Sequence, residues 1–269
     1  MPPASESSAR EMRRYWDGVG EAWTEHHLDP VWRAHSDAVY SELLARWLPA
    51  GTCERILKTD LFDEAVAEGV YPALEARAAG VVGLDVAPRV AAAACHRFPR
   101  LHGIVADARQ LPFDDGAFDV VVSLSTLDHF PHRDDIRRAL SELHRVLVPG
   151  GTLLITLDNA SNPLVALRNW LPHGVLQMLR LVPYRMGATC TAGGLLDLLR
   201  ACNFDVHDTS FIVHCPRLIA VVAARLIERT LSRSARRHFL RALRSCEALD
   251  RWPTRRITGY YAAALARRR

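Results

Sequence analysis

The stretch Val81-Val82-Gly83-Leu84-Asp85-Val86-Ala87-Pro88 constrains this chain more than any other. An apolar, β-branched run closes on one carboxylate, and a proline then opens a helix over Arg89 to Ala94. That is how a buried parallel strand meets its crossover helix. In an open α/β sheet, ligands sit beyond the carboxyl ends of the strands where the strand order reverses, which is where Asp85 would stand. A carboxylate in this place accepts from both hydroxyls of a ribose diol. The competing role is a solvated cap on the next helix.

The rest of the sequence suits an ordinary globular protein. Its 269 residues are 49% apolar and 24% charged, enough for one large core or a core with a cap. The net charge of +4 owes much to arginines late in the chain, and Lys58 is the single lysine. No aromatic interleaving accompanies those arginines, so nucleic acid is not expected as a partner. Six scattered cysteines without a C-x-x-C pair point to reduced thiols and a cytoplasmic setting, and against a zinc site. The polar start has no secretory signal pattern, and no apolar run is long enough to span a membrane.

Residues 1–50 read as a helical cap. Ala9 to Leu48 carries Tyr15-Trp16, Trp23, Trp32, Val39-Tyr40 and Leu43-Leu44 near helical spacing, and Pro30 divides it. The histidines there (His26, His27, His35) have no metal spacing. Residues 51–269 read as the main domain. Arg55-Ile56-Leu57 starts the first strand, and the turn after it, Lys58-Thr59-Asp60-Leu61-Phe62-Asp63-Glu64-Ala65, contains no glycine. A helix is expected from Glu64 or Ala65 to Ala78, weakened at Gly69. A third strand ends at Asp107-Ala108, placing a second acceptor on the rim that carries Asp85. An acceptor there suits the exocyclic amine of adenine. A fourth strand, Phe118 to Ser123, leads into a rim segment with Ser125, Thr126, Asp128 and His129. Ile136, Leu140, Leu143 and Leu147 share one face of a helix from Asp134 to Val148. Pro149-Gly150-Gly151 ends that helix ahead of a fifth strand, Thr152 to Leu157.

Val82-Gly83-Leu84-Asp85-Val86-Ala87-Pro88, Asp107-Ala108 with Leu111-Pro112-Phe113, Phe118-Asp119-Val120-Val121 and Leu143-His144-Arg145-Val146-Leu147-Val148-Pro149-Gly150-Gly151 recur in an order and spacing that resembles a class I S-adenosylmethionine-dependent methyltransferase. The resemblance covers roughly Ile56 to Leu157. It implies a doubly wound, mostly parallel, Rossmann-like sheet of seven strands with the last antiparallel. It also implies S-adenosylmethionine as cofactor, with Asp85 and Val86 at the ribose, Asp107 and Ala108 at the adenine, and Ser123 beneath. The departure is the first turn. Matched by position, Lys58 stands where an acid is usual, and Asp60, Phe62 and Glu64 stand where glycines are usual. Lys58 would repel the cofactor's ammonium unless Asp60 or Asp63 neutralised it, and Phe62 could fill the volume the methionine end needs. Two readings are open: Asp60, Asp63 or Glu64 supplies the carboxylate for that ammonium, or the fold has lost this cofactor and serves a non-methylating enzyme or a binding protein. A metal on the acidic turn is the less favoured alternative, and no metal is assigned.

His129 is the general-base candidate, because an imidazole titrates near neutrality, with Asp128 to orient it; capping the loop is its competing role. His144 carries no assigned chemistry. Helical insertions are expected at about 160–190 and 215–250, where apolar stretches would form a substrate lid, a core seal or a dimer face. The partner expected is a small, apolar metabolite. Arginines beside the apolar stripe after Pro216 permit peripheral membrane contact, with a lid or dimer helix as the preferred role. Gly193 to Phe204 reads as the helix before a sixth strand, Val206 to Phe211, and Thr258 to Leu265 as the last strand.

Overall fold

The computed structural model describes residues 4–26, 30–48, 51, 53–171, 187–230 and 233–269. Seven strands form one sheet in the order β3-β2-β1-β4-β5-β7-β6. The first five, β1 (Cys53–Lys58), β2 (Ala78–Asp85), β3 (His102–Val105), β4 (Phe118–Leu124) and β5 (Leu147–Asp158), run parallel to one another. β7 (Tyr261–Arg268) inserts antiparallel between β5 and β6 (Phe204–Ile212). The order reverses at β1, which pairs with β2 on one side and β4 on the other.

Both faces of the sheet are buried at its central strands, as continuous apolar strands require, while the edge strand β3 is largely exposed. Successive residues feed opposite layers: Ile56, Val120 and Val122 pack into one core, and Leu57 and Val121 into the other. The first layer comprises α1 (Ala4–His26), α2 (Pro30–Trp47), α3 (Phe62–Val66), α4 (Tyr71–Glu75) and α5 (Pro88–Arg97). The second contains α6 (Arg133–Val146) and α8 (Ala192–Ala201). Between them in sequence lies α7 (Pro163–Trp170), capped by Asn162, whose side chain accepts from the amides of Leu164 and Val165. α9 (Arg217–Thr230), α10 (Arg233–Ser245) and the short α11 (Arg255–Thr258) precede the last strand. The expected lid segment lies partly outside the described residues, at 172–186.

Pro30 does divide the N-terminal stretch as expected, opening α2 as its first residue, where its missing amide hydrogen costs nothing. Several boundaries differ from the sequence reading. The helix expected from Glu64 to Ala78 is two five-residue helices, α3 and α4. The break comes at Gly69, in the left-handed region at φ +58°, where a Cβ would collide with the Glu64 carboxylate. β5 begins at Leu147, ahead of the Pro-Gly-Gly sequence, because α6 has already stopped at Val146. β7 starts three residues later than Thr258, since α11 takes residues 255–258.

Gly83 has a specific reason in β2, because a Cβ there would run into the side chain of Leu61, which is fully buried. Gly83→Val is expected to destabilise the protein by about 1–3 kcal/mol through overpacking, read from urea denaturation.

Candidate functional site

The site is the rim formed by the carboxyl ends of β1, β2, β4 and β5. At the centre, β1 delivers Lys58 into the interior, only 2% exposed. Its ammonium lies 2.8 Å from Glu64 Oε2 and 3.3 Å from Asp60 Oδ1, and it donates to the Asp60 carbonyl at 2.7 Å. Burial works against this charge, but the carboxylates of Asp60 and Glu64 outweigh it and hold the lysine above its ordinary pKa. Burial pushes the Glu64 carboxyl upward against the pull of Lys58. Glu64 also accepts from the amide of Val70 at 3.0 Å, which folds the chain back at Gly69. The expected neutralisation of Lys58 is therefore corrected in part: Asp60 takes that role with Glu64, whereas Asp63 accepts from Arg33 of α2 at 2.6 Å. The same guanidinium lies over the ring of Phe62, 5.2 Å from its centroid.

Hydroxyls continue the rim. Thr59 Oγ1 is 3.0 Å from both Ser123 Oγ and Thr126 Oγ1, and Thr126 donates to Asp60 Oδ2 at 2.9 Å. Ser123 is fully buried. Asp85, the last residue of β2, accepts from the amide of Leu61 at 3.0 Å on one oxygen and from the amide of Ala87 at 2.8 Å on the other. Burial raises it to about 7 against those two donors. Val86 beside it is half-buried. Asp107 stands apart, in a bridge with Gln110, and both its oxygens accept from Arg109. That guanidinium also pairs with Asp135 at 3.0 Å and covers the Phe130 ring. Ala108 is buried next to it.

Asp128 and His129 lie in a 3-10 turn (Leu127–His129). Asp128 is fully buried and accepts from Ser125 Oγ and from the amide of Asp158, each at 3.0 Å. Burial and the neighbouring Asp158 raise its pKa. Ser125 takes the left-handed conformation at φ +49°, an uncommon choice for a residue with a Cβ. His129 meets the edge of Trp16 from α1, with ring centroids 4.9 Å apart. His144, by contrast, packs its ring on Phe204 on the far layer.

Sequence reasoning missed a further strand-end carboxylate, Asp158. The signal that marks Asp85, an apolar strand ending in an acid, is present there too and would have found it. Its partner Arg168 reaches it from α7 at 2.7 Å and donates to the Tyr260 hydroxyl at 2.6 Å. Tyr40 of α2 is buried below the same rim, its ring 6.0 Å from that of Tyr261.

With this geometry in view, comparison places the chain among known folds. Residues 65–155 match the family model described as a methyltransferase domain. A phthiotriol/phenolphthiotriol dimycocerosates methyltransferase of Mycobacterium tuberculosis is 48% identical over 56 residues, 21% of this chain and 20% of that relative. The chain's match thus spans about a fifth of that curated relative's length. Among solved structures, an S-adenosylmethionine dependent methyltransferase from Mesorhizobium loti superposes with a TM-score of 0.57 at 19% identity, covering 87% of this chain and all of the other. The [4+2]-cyclase SpnF superposes with a TM-score of 0.54 at 21% identity, covering 85% of this chain and 79% of the cyclase. The fold is that of the class I S-adenosylmethionine-dependent methyltransferases.

The buried charges lead to two testable outcomes. Removing one partner of a buried ion pair strands the other, so Glu64→Gln is expected to cost about 3 kcal/mol in urea denaturation. The double substitution Lys58→Met with Glu64→Gln removes the stranded ammonium and keeps an acceptor for the Val70 amide, so it should recover part of that loss. The second outcome concerns pH. Asp85 and, through burial, Glu247 are raised to about 7, and burial raises Asp37 and Asp128 as well. Folding therefore favours their protonated forms, so the stability they contribute is full below the ordinary carboxylate range and is lost as pH rises toward 7. The urea midpoint should fall across that window. In Asp85→Asn the slope should be shallower, by up to about 1.4 kcal/mol per pH unit.

Proposed function

We propose that this chain transfers a methyl group from S-adenosylmethionine to a small, apolar acceptor. The observation that carries the reading is the position of Asp85. It ends β2 beside the switch point at β1, inside the segment that matches the methyltransferase domain. The name of the mycobacterial relative, a dimycocerosates methyltransferase, supports an apolar acceptor.

The rim fits the two ends of the cofactor differently. At the adenosine end, each oxygen of Asp85 accepts one amide hydrogen and keeps a lone pair for a ribose hydroxyl. Val86 and Ala108 offer apolar contact, and Asp107, whose two oxygens accept from Arg109, would have to give up one of those bonds to take the adenine amine. At the amino-acid end, the donor set does not fit as it stands, because Lys58 spends its hydrogens on Asp60 and Glu64. When bound, S-adenosylmethionine supplies an electrophilic methyl group on a sulfonium. This chain's own residues bind and orient. His129 is the proton acceptor for a hydroxyl or amine acceptor, Asp128 holds the turn that presents it, and Ser123 with Thr59 and Thr126 fixes the floor. Residues 1–50 are a cap, with Trp16 closing over His129, and 51–269 form the catalytic domain.

The ion-paired turn favours a second reading, in which the fold works without a methyl donor. Calorimetry separates the two. The first predicts saturable binding of S-adenosylmethionine near micromolar, lost in Asp85→Ala; absence of heat up to millimolar concentrations would turn the assignment to the second. With an acceptor in hand, His129→Ala should lower kcat by about 10²-fold or more if the histidine takes the proton. An unchanged kcat would leave it a purely structural ring.

A further inference from the structure

Five of the eight large apolar side chains exposed among the described residues lie between positions 217 and 257: Ile219, Val222, Leu226, Trp252 and Ile257. On α9, Ile219, Val222 and Leu226 recur at helical spacing and form one face, while Ala220 and Ala224 on the other face are buried in the core. α10 likewise buries Leu243 and packs Phe239 and Leu240 into the same core. Its outward face carries Arg233, Arg237 and Arg241, all exposed and one turn apart. α9 and α10 pack against each other and both against α2, so their outward faces look the same way.

The two described acids of this region are half-buried, and the exposed Glu42 of α2 pairs with Arg244. Glu247 accepts from the amides of Val213 and His214, and Asp250 from Arg46. Among the described side chains from 217 to 257, no acid is exposed. Exposed apolar side chains next to a cationic row are the chemistry of an interface between water and anionic headgroups.

We propose that α9 and α10 dock this protein on an anionic lipid surface. Ile219, Val222 and Leu226 enter the acyl boundary, and Arg233, Arg237 and Arg241 meet the phosphates. A second copy docked through the same face would offer the arginine row no exposed acid from the described side chains between 217 and 257. A nucleic acid would satisfy the arginines and leave the aliphatic stripe in water. The docked face leads toward the rim. α9 starts at Arg217, which donates to the Tyr261 hydroxyl at 2.8 Å and lies over the ring of Tyr260, the residue whose hydroxyl Arg168 holds beside Asp158.

The test is co-sedimentation of the full chain with sucrose-loaded vesicles of phosphatidylcholine alone and of phosphatidylcholine with phosphatidylglycerol. The bound fraction should rise about tenfold with the anionic lipid and fall with added salt. The triple substitution Arg233→Gln, Arg237→Gln and Arg241→Gln should abolish the preference for phosphatidylglycerol. Ile219→Ser with Val222→Ser and Leu226→Ser should reduce binding to background at an unchanged melting temperature. If the serine variant melts early, the arginine variant decides alone, since its side chains touch no core. Equal binding to both vesicles would overturn the proposal. So would a dimer in light scattering that the serine variant splits, or retention on duplex RNA without vesicle binding.

Discussion

The structure depends on a charge at the end of its central strand. Lys58 is the single lysine of the chain, and it enters the interior where an unpaired ammonium could not be held. Its pairing with Glu64 and Asp60 sets the path of the chain beyond β1. Glu64 has to point inward, so α3 starts at once after the turn. The same carboxylate takes the amide of Val70, so the chain reverses at Gly69, where no side chain could fit. The short turn also brings the amide of Leu61 onto Asp85, tying the ends of β1 and β2 together.

The rest of the rim repeats this solution. Asp63 has Arg33, Asp107 has Arg109, and Asp158 has Arg168, each within 2.7 Å. Bare backbone at a strand end lets a ligand approach closely and supplies amide donors. A turn built from paired side chains is instead polar, bulky and already satisfied, so a ligand must compete with partners in place. Asp85, by contrast, accepts from amides alone. Burial raises its pKa to about 7 against those two donors.

Much of the fold is legible in the sequence because its signals are local. The apolar run ending in an acid at Asp85, the Asp-Asp-Gly turn before β4 and the apolar face of α6 all depend on neighbours along the chain, whereas β3 ends at Val105, short of the acid expected to close it, and Asp107 bridges to Gln110 instead. Boundaries depart from that reading where a distant contact decides them: Glu64 with Val70 cuts the helix after β1, and α11 displaces the start of β7. The site is less legible than the fold. Asp60, Glu64 and Lys58 read as a charged turn, but which acid meets the lysine depends on α2, whose Arg33 draws Asp63 away. Arg168 and Tyr260 carry no pattern in sequence, and the sheet brings them together from positions 92 residues apart.

The sequence by itself determined a doubly wound α/β sheet with acids at the strand ends, because strand, turn and crossover helix are each written in contiguous residues. Only the tertiary structure decided how those acids are used. Charges act through space: Asp107 and Arg109 are near neighbours in the chain, but Asp63 meets Arg33 and Asp85 meets the Leu61 amide only because the fold brings separate segments together.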